Sequence, residues 1–330
     1  MAESKFNWIK FSSSVNNSLP GFNHNVNFPL RVWRQVGKKE ARGVVIMISG
    51  FLEGLKRSAD GIELPQHYSA IAEALRNQNY IVVLLPLPFH FERSLDFPME
   101  GTLAPLLRLD NSRGGSGSFV YFGGYTQIKE DIIQLCKLLE QKSKPGFDKL
   151  KISKNPEYHL LGYSLGGVMA LGMLLEDNAS VKFTSTSILL SNYNIAEISS
   201  NQIKNAPEFR GSGFNGEIWN RILDDLKNSR ANLPSFFRFL IWGEDEKVFK
   251  ERLVELSNDK IRRRLLFLNG MQDDLFDLKK VNTRNNNLFK IILENERIKS
   301  IVTLIMTTSK HRIKQETLIA KYISAFISNE

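Results

Sequence analysis

No stretch constrains this chain more than Gly162-Tyr163-Ser164-Leu165-Gly166-Gly167. An apolar run, Tyr158-His159-Leu160-Leu161, precedes it, and Val168-Met169-Ala170-Leu171-Gly172-Met173-Leu174-Leu175 follows. The first reads as a buried strand and the second, apolar almost all round, as a buried helix. Gly-x-Ser-x-Gly between a strand and a helix sets the serine on a sharp turn, with glycines where a Cβ would clash as the two elements pass. Such a turn pushes Ser164 Oγ outward. It also leaves the Leu165 N–H at a helix N-terminus, ready to meet an oxyanion. The five-residue pattern alone arises by chance in roughly one chain in ten of this length, so its weight comes from the strand before and the helix after.

The rest of the chain repeats that alternation. Val44-Val45-Ile46-Met47-Ile48 and Tyr80-Ile81-Val82-Val83-Leu84-Leu85 are apolar on both faces, as central parallel strands require. Further strands are expected at Leu30 to Val36, Ser187 to Ser191, Leu265 to Leu268 and Ile301 to Met306. Helices are expected over Gln66 to Gln78, over Thr126 to Lys142 with Thr126 as N-cap, and at the C-terminus through Leu318, Ile319, Tyr322, Ile323 and Phe326. Residues 1–25 read as irregular, or a peripheral strand at best. Roughly seventy residues separate Ser191 from Leu265, too many for a simple crossover, which points to a helical insertion over the sheet. Arg113-Gly114-Gly115-Ser116-Gly117-Ser118 lacks a preceding strand and a P-loop ending, so it reads as a mobile loop near the mouth of a site. The expectation is an α/β fold with a mostly parallel, doubly wound sheet and a helical cap. Residues 1–43 form an N-terminal segment with peripheral strands, 44–191 and 264–330 the core, and 192–263 the cap.

Composition narrows the function classes. The 330 residues are 42% hydrophobic and 24% charged, ordinary for a globular protein, and the net charge of +9 is dispersed. No nucleic-acid motif accompanies the charge, so it reads as solvated faces, with an anionic membrane or acidic substrate as the lesser reading. Cys136 is the only cysteine, which excludes an intramolecular disulfide, and its helical setting reads as core filling. The apolar runs are too short for stable membrane insertion, and Met1 to Trp8 carries no signal-like apolar segment, so a cytoplasmic protein is expected. The scattered histidines and single cysteine have no metal-ligand spacing, so neither metal nor cofactor is expected.

A serine hydroxyl needs a base, and an imidazole base needs a carboxylate to fix its tautomer. In the strand–serine–helix architecture the partners follow in the order Ser, acid, His. His24, His67, His90 and His159 all precede Ser164, which leaves His311, directly after the last expected strand. For the acid, Gly270-Met271-Gln272-Asp273 follows a strand and favours Asp273. Asp274 is its immediate rival and Asp277 a third choice, and Trp242-Gly243-Glu244-Asp245 offers a similar strand-glycine-acid pattern.

Over about Val44 to the C-terminus the chain resembles the α/β-hydrolase superfamily of serine esterases and lipases. The resemblance rests on Gly162-Tyr163-Ser164-Leu165-Gly166-Gly167, on Gly270-Met271-Gln272-Asp273 and on His311. It implies Ser164 as nucleophile, Asp273 as acid and His311 as base. The family's second oxyanion amide usually follows a His-Gly pair. Ser49-Gly50 stands in that place here, which makes Phe51 the candidate donor beside Leu165. Two departures are Ser49 in place of that His, and Lys310 where a Gly usually precedes the catalytic His. The implied activity is hydrolysis of a small-molecule carboxylic ester through an acyl-enzyme. A thioesterase, amidase or acyltransferase with the same triad, or a non-hydrolytic binding member, are the alternatives. The apolar run Phe236 to Trp242 reads either as core packing or a strand, or as the wall of an acyl pocket lined by Phe237 and Trp242. The resemblance favours the second, because insertions after this strand often form a cap.

Overall fold

A computed structural model describes residues 6–15, 26–37, 39–51, 57–58, 61–88, 91–94, 124–176, 181–191, 195–206, 215–228, 230–244, 246–258, 263–270, 292, 294–308, 313 and 315–328. The loop 113–118, Asp273, Asp274, Asp277, Asp245 and His311 lie outside these residues. In chain order the principal elements are β1 (Asn7–Ser12), β2 (Asn27–Trp33), β3 (Ala41–Ile48), α1 (Gln66–Asn77), β4 (Tyr80–Leu85), α2 (Gly124–Gln141), β5 (Ile152–Tyr163) and α3 (Leu165–Leu175). There follow β6 (Ser185–Leu189), α4 (Ser200–Asn205), α5 (Gly216–Asn228), α6 (Ser235–Trp242), α7 (Glu246–Asn258), β7 (Arg264–Gly270), α8 (Glu296–Lys299), β8 (Val302–Thr307) and α9 (Glu316–Ser328).

The eight strands form one sheet in the order β1-β2-β4-β3-β5-β6-β7-β8. β2 pairs antiparallel with both β1 and β4, and every pairing from β4 through β8 is parallel. β3 is buried except at Arg42 and β4 throughout, because helices cover both faces. Alternate residues part cleanly between two cores. Val45, Met47, Val82, Leu84, Leu161 and Tyr163 pack with Tyr68, Ile71 and Leu75 of α1 and with Ile319 and Ile323 of α9. Val44, Ile46, Ile48, Ile81, Val83 and Leu160 meet α2, α3, α6 and α7 on the opposite face. The order reverses between β3 and β5. In an open parallel sheet that is where the carboxyl ends of the strands leave a crevice for a ligand.

Three local features that the sequence left open or placed differently have physical causes. β1 forms within the polar N-terminal stretch, burying Ile9 and Phe11 against Phe28. Helix α2 starts at Gly124, ahead of the expected Thr126 cap. The Tyr125 ring is buried against Phe236 and Phe237, and its hydroxyl donates to Glu176, so tertiary packing holds that first turn. Phe236 to Trp242 is helical, the αL Gly243 closing it by donating its N–H to the Phe239 carbonyl. Among the described residues no helix is long and apolar enough to cross a membrane.

The end of the sheet opposite the crevice holds a buried polar cluster. Arg264 Nη2 donates to the Ile327 carbonyl (2.9 Å), capping the last turn of α9. Tyr80 Oη lies 3.4 Å from the same oxygen. His159 is fully buried, with Nδ1 2.8 Å from Ser185 Oγ and its ring edge-on to Tyr80. Glu157, Arg42 and Arg264 are the charged groups that act on it. Burial pushes the His159 imidazole below its ordinary range, against the raising pull of the Glu157 carboxylate. The folded chain therefore holds a neutral ring where the unfolded chain binds a proton near about pH 6.5. Stability from this site is present above that pH and is lost as the pH falls through it. The denaturant midpoint should fall between about pH 7 and about pH 5, and His159→Gln should flatten that slope. An unchanged slope in the variant contradicts the assignment.

Candidate active site

The turn at the end of β5 carries backbone strain. Ser164 has φ 51° and ψ −119°. A non-glycine residue held there costs about 1–3 kcal/mol, so the surroundings must enforce it. They do so through two glycines. A Cβ on Gly162 would fall 2.2 Å from the Gly166 carbonyl oxygen, and one on Gly166 would fall 2.5 Å from the carbonyl oxygens of both Ile48 and Ser49. Strand, turn and helix therefore close tightly only with these residues. The Ser164 N–H donates to the Leu189 carbonyl at 2.9 Å, and its carbonyl accepts from Gly167 N–H (2.9 Å) and Val168 N–H (3.3 Å).

Serine is a favoured N-cap because its hydroxyl usually accepts from the first turn of the helix. Ser164 occupies the N-cap position of α3, yet its side chain makes no capping hydrogen bond. The side chain is half-buried. Leu165 is the first residue of α3, where backbone N–H groups have no intrahelical acceptor and the helix dipole favours negative charge. Leu190, just beyond β6, is a second non-glycine residue with positive φ (44°), its N–H bonded to the Leu268 carbonyl at 2.7 Å. Two of the five described non-glycine residues with positive φ thus lie at the carboxyl ends of neighbouring central strands, the others being Asn79, Phe91 and Lys142.

The loop leaving β3 lies directly against this turn. Ser49 is buried, and its Oγ accepts from the Leu87 N–H at 3.0 Å, tying the exit of β3 to that of β4. The residue that departs from the family pattern therefore has a structural use of its own. The Gly50 N–H donates to Tyr68 Oη at 2.9 Å. Phe51, next along, is half-buried against the core.

β7 and β8 end in register, Gly270 opposite Thr307, and run parallel with β6 and β5. Both strands therefore end at the edge of the sheet where β5 delivers Ser164, and Asp273 and His311 lie outside the described residues. The alternative acid Glu244 is engaged by Arg230, whose Nε donates to its carboxylate at 3.2 Å. His159 lies five residues before Ser164 on an extended strand, about 16 Å away, and its contact with Ser185 belongs to the opposite end of the sheet. Phe237 is buried between Tyr125 and Phe236, while Trp242 is half-buried under the Arg230 guanidinium. Among the described residues no group of three or more His, Cys, Asp or Glu could hold a metal ion. The open pocket lined by Arg252, Glu255, Leu256, Asn258 and Arg263 sits by the entry of β7, away from Ser164.

Sequence reasoning missed Tyr68 and the aromatic contacts around Tyr163. Tyr68 falls within the helix expected over Gln66 to Gln78, and nothing in the pattern signals that its hydroxyl reaches the β3 loop.

No protein-family model matches the chain, and no curated protein matches it in sequence. Solved structures do. Carboxyl esterase 2 of the mycorrhizal fungus Tuber melanosporum superposes with a TM-score of 0.55 at 10% identity, covering 97% of this chain and 84% of its own. Fluorophosphonate-binding serine hydrolase F of Staphylococcus aureus, in a substrate-bound form, gives 0.52 at 13% identity over 99% of both chains. An esterase of Pyrobaculum calidifontis gives 0.50 at 13% identity, covering 98% of this chain and 85% of its own. The strand order, the single antiparallel strand β2 and these likenesses define the α/β-hydrolase fold.

Gly166→Ala tests the close approach. Alanine in place of glycine inside a helix ordinarily gains about 1 kcal/mol. Here the new methyl meets two backbone carbonyls that cannot swing aside, and overpacking should reverse the sign to a loss of about 1–3 kcal/mol. The measurement is denaturant unfolding; a variant as stable as the parent contradicts the packing described.

Proposed function

We propose that this chain is a serine hydrolase that cleaves carboxylic esters of small molecules through an acyl-enzyme on Ser164. One observation carries the reading. Ser164 is held at φ 51° on a strand-to-helix turn, and its hydroxyl is not used to cap the helix that follows. The esterases and the serine hydrolase that share the fold support the same class of chemistry.

In this reading Ser164 Oγ attacks the ester carbonyl while His311 accepts its proton, and Asp273 holds the resulting imidazolium. The Leu165 amide and the Phe51 amide receive the oxyanion. The Gly50 N–H is already bonded to Tyr68, which favours the next amide for that role. Collapse of the tetrahedral intermediate expels the alcohol, which takes the proton from His311. Water then attacks the acyl-enzyme with His311 again as base, releasing the acid and restoring Ser164. Helices α4 to α7, within residues 192–263, form the cap of the acyl site, and the protein works in the cytoplasm.

A series of aryl esters, thioesters and amides tests this. Ser164→Ala and His311→Ala should each lower kcat by roughly four to six orders of magnitude on esters. Asp273→Asn should cost about 10⁴-fold, with a much smaller effect from Asp274→Asn. Full activity in Ser164→Ala refutes the proposal, and a larger loss in Asp274→Asn moves the acid by one residue. In the same assays, Phe237→Ala and Trp242→Ala should shift the preferred acyl length without abolishing short-ester turnover. An unchanged length profile assigns both aromatics to the core.

A further inference from the structure

We propose that Tyr68 is a positioning residue for the oxyanion site, a role that rests on the hydrolase reading above and adds to it the part that fixes the Phe51 loop. Tyr68 sits in the first turn of α1 and is fully buried. It touches both halves of the site. Its hydroxyl accepts the Gly50 N–H at 2.9 Å, one residue before the Phe51 amide. Its ring lies edge-on to Tyr163 at 6.0 Å, one residue before Ser164. His67 packs tilted against both rings, 4.2 Å from Tyr68 and 4.5 Å from Tyr163, and Phe91 meets Tyr68 edge-on at 6.1 Å.

The geometry of the loop makes this contact matter. Gly50 is the second of the two residues between the end of β3 at Ile48 and the candidate donor Phe51. Ser49 is anchored through its side chain to Leu87 and through its carbonyl against Gly166. Gly50 has no side chain with which to anchor itself, and the Tyr68 hydroxyl supplies a fixed acceptor for its amide. Oxyanion stabilisation depends on donors already aimed at the place where charge develops. A buried acceptor that fixes the peptide before the donor therefore acts on the transition state more than on ground-state binding.

Tyr68→Phe keeps the ring and removes the hydroxyl that accepts the Gly50 N–H. Deleting an oxyanion donor outright costs about 10²–10³ in kcat, so loosening one should cost less, about tenfold. We expect that fall in kcat on an aryl ester with KM unchanged, and faster amide hydrogen exchange confined to the segment around Gly50. A merely structural role would lower thermal stability and quicken exchange across α1 while leaving kcat per folded molecule intact. If Tyr68→Phe does not fold, site-specific 3,5-difluorotyrosine at position 68 keeps the ring and weakens the acceptor, with the same two readouts. Parent-like kcat and parent-like exchange at Gly50, in an enzyme that Ser164→Ala inactivates, overturn the role of Tyr68 alone. Turnover that survives Ser164→Ala overturns the hydrolase reading and this role with it.

Discussion

The site depends on how closely helix α3 approaches the ends of β3 and β5. Gly166 lies so near the Ile48 and Ser49 carbonyls that a single methyl group would collide with both. That contact forces the turn at Ser164 into its positive-φ conformation, because β5 and α3 are each held by the sheet and the core and only the residue between them can adjust. It also brings the first amides of α3 beside the loop leaving β3. The nucleophile and both candidate oxyanion donors thus come from one packing arrangement, in which two strands and one helix meet at glycine.

The two ends of the sheet are built on different physics. At the carboxyl end, backbone strain at Ser164 and Leu190 is held by apolar packing and main-chain hydrogen bonds. At the other end, Tyr80 and Arg264 bond to the Ile327 carbonyl in the last turn of α9, with His159 edge-on to Tyr80, and lock that helix to the sheet. Just beyond the carboxyl end of β4 a fully buried ion pair joins Arg93 to Asp131 of α2 at 2.9 Å, with the guanidinium over the Phe28 ring. Removing one partner of such a pair leaves a bare buried charge and is far costlier than any surface bridge. It fixes where α2 lies, and through Tyr125 and Gly172 where α3 lies.

Much of this was legible in the sequence because the signals are strong where both faces of an element are buried. β4 matches its apolar run residue for residue, and β3, β7 and β8 keep their centres. The Ser164 turn was readable because only glycines permit it. Other parts were hidden for identifiable reasons. β1 alternates weakly, and half its surface is polar. β5 begins in the polar segment Ile152 to Glu157, which has no apolar run and meets β3 at Ile152 and Glu157 across a register shift. The helical state of Phe236 to Trp242 cannot be told from a strand by hydrophobicity alone, since nearly every residue is apolar. Tyr68 was invisible because its contribution is one hydroxyl meeting one amide across the fold.

The central claim is that the strained turn presents Ser164 as a nucleophile, and covalent trapping tests it most directly. The parent protein, treated with a fluorophosphonate, should gain the mass of one phosphonyl group, and peptide mapping should place it on the segment containing Ser164. Protein that stays unlabelled while hydrolysing esters, or a label on another serine, contradicts the account.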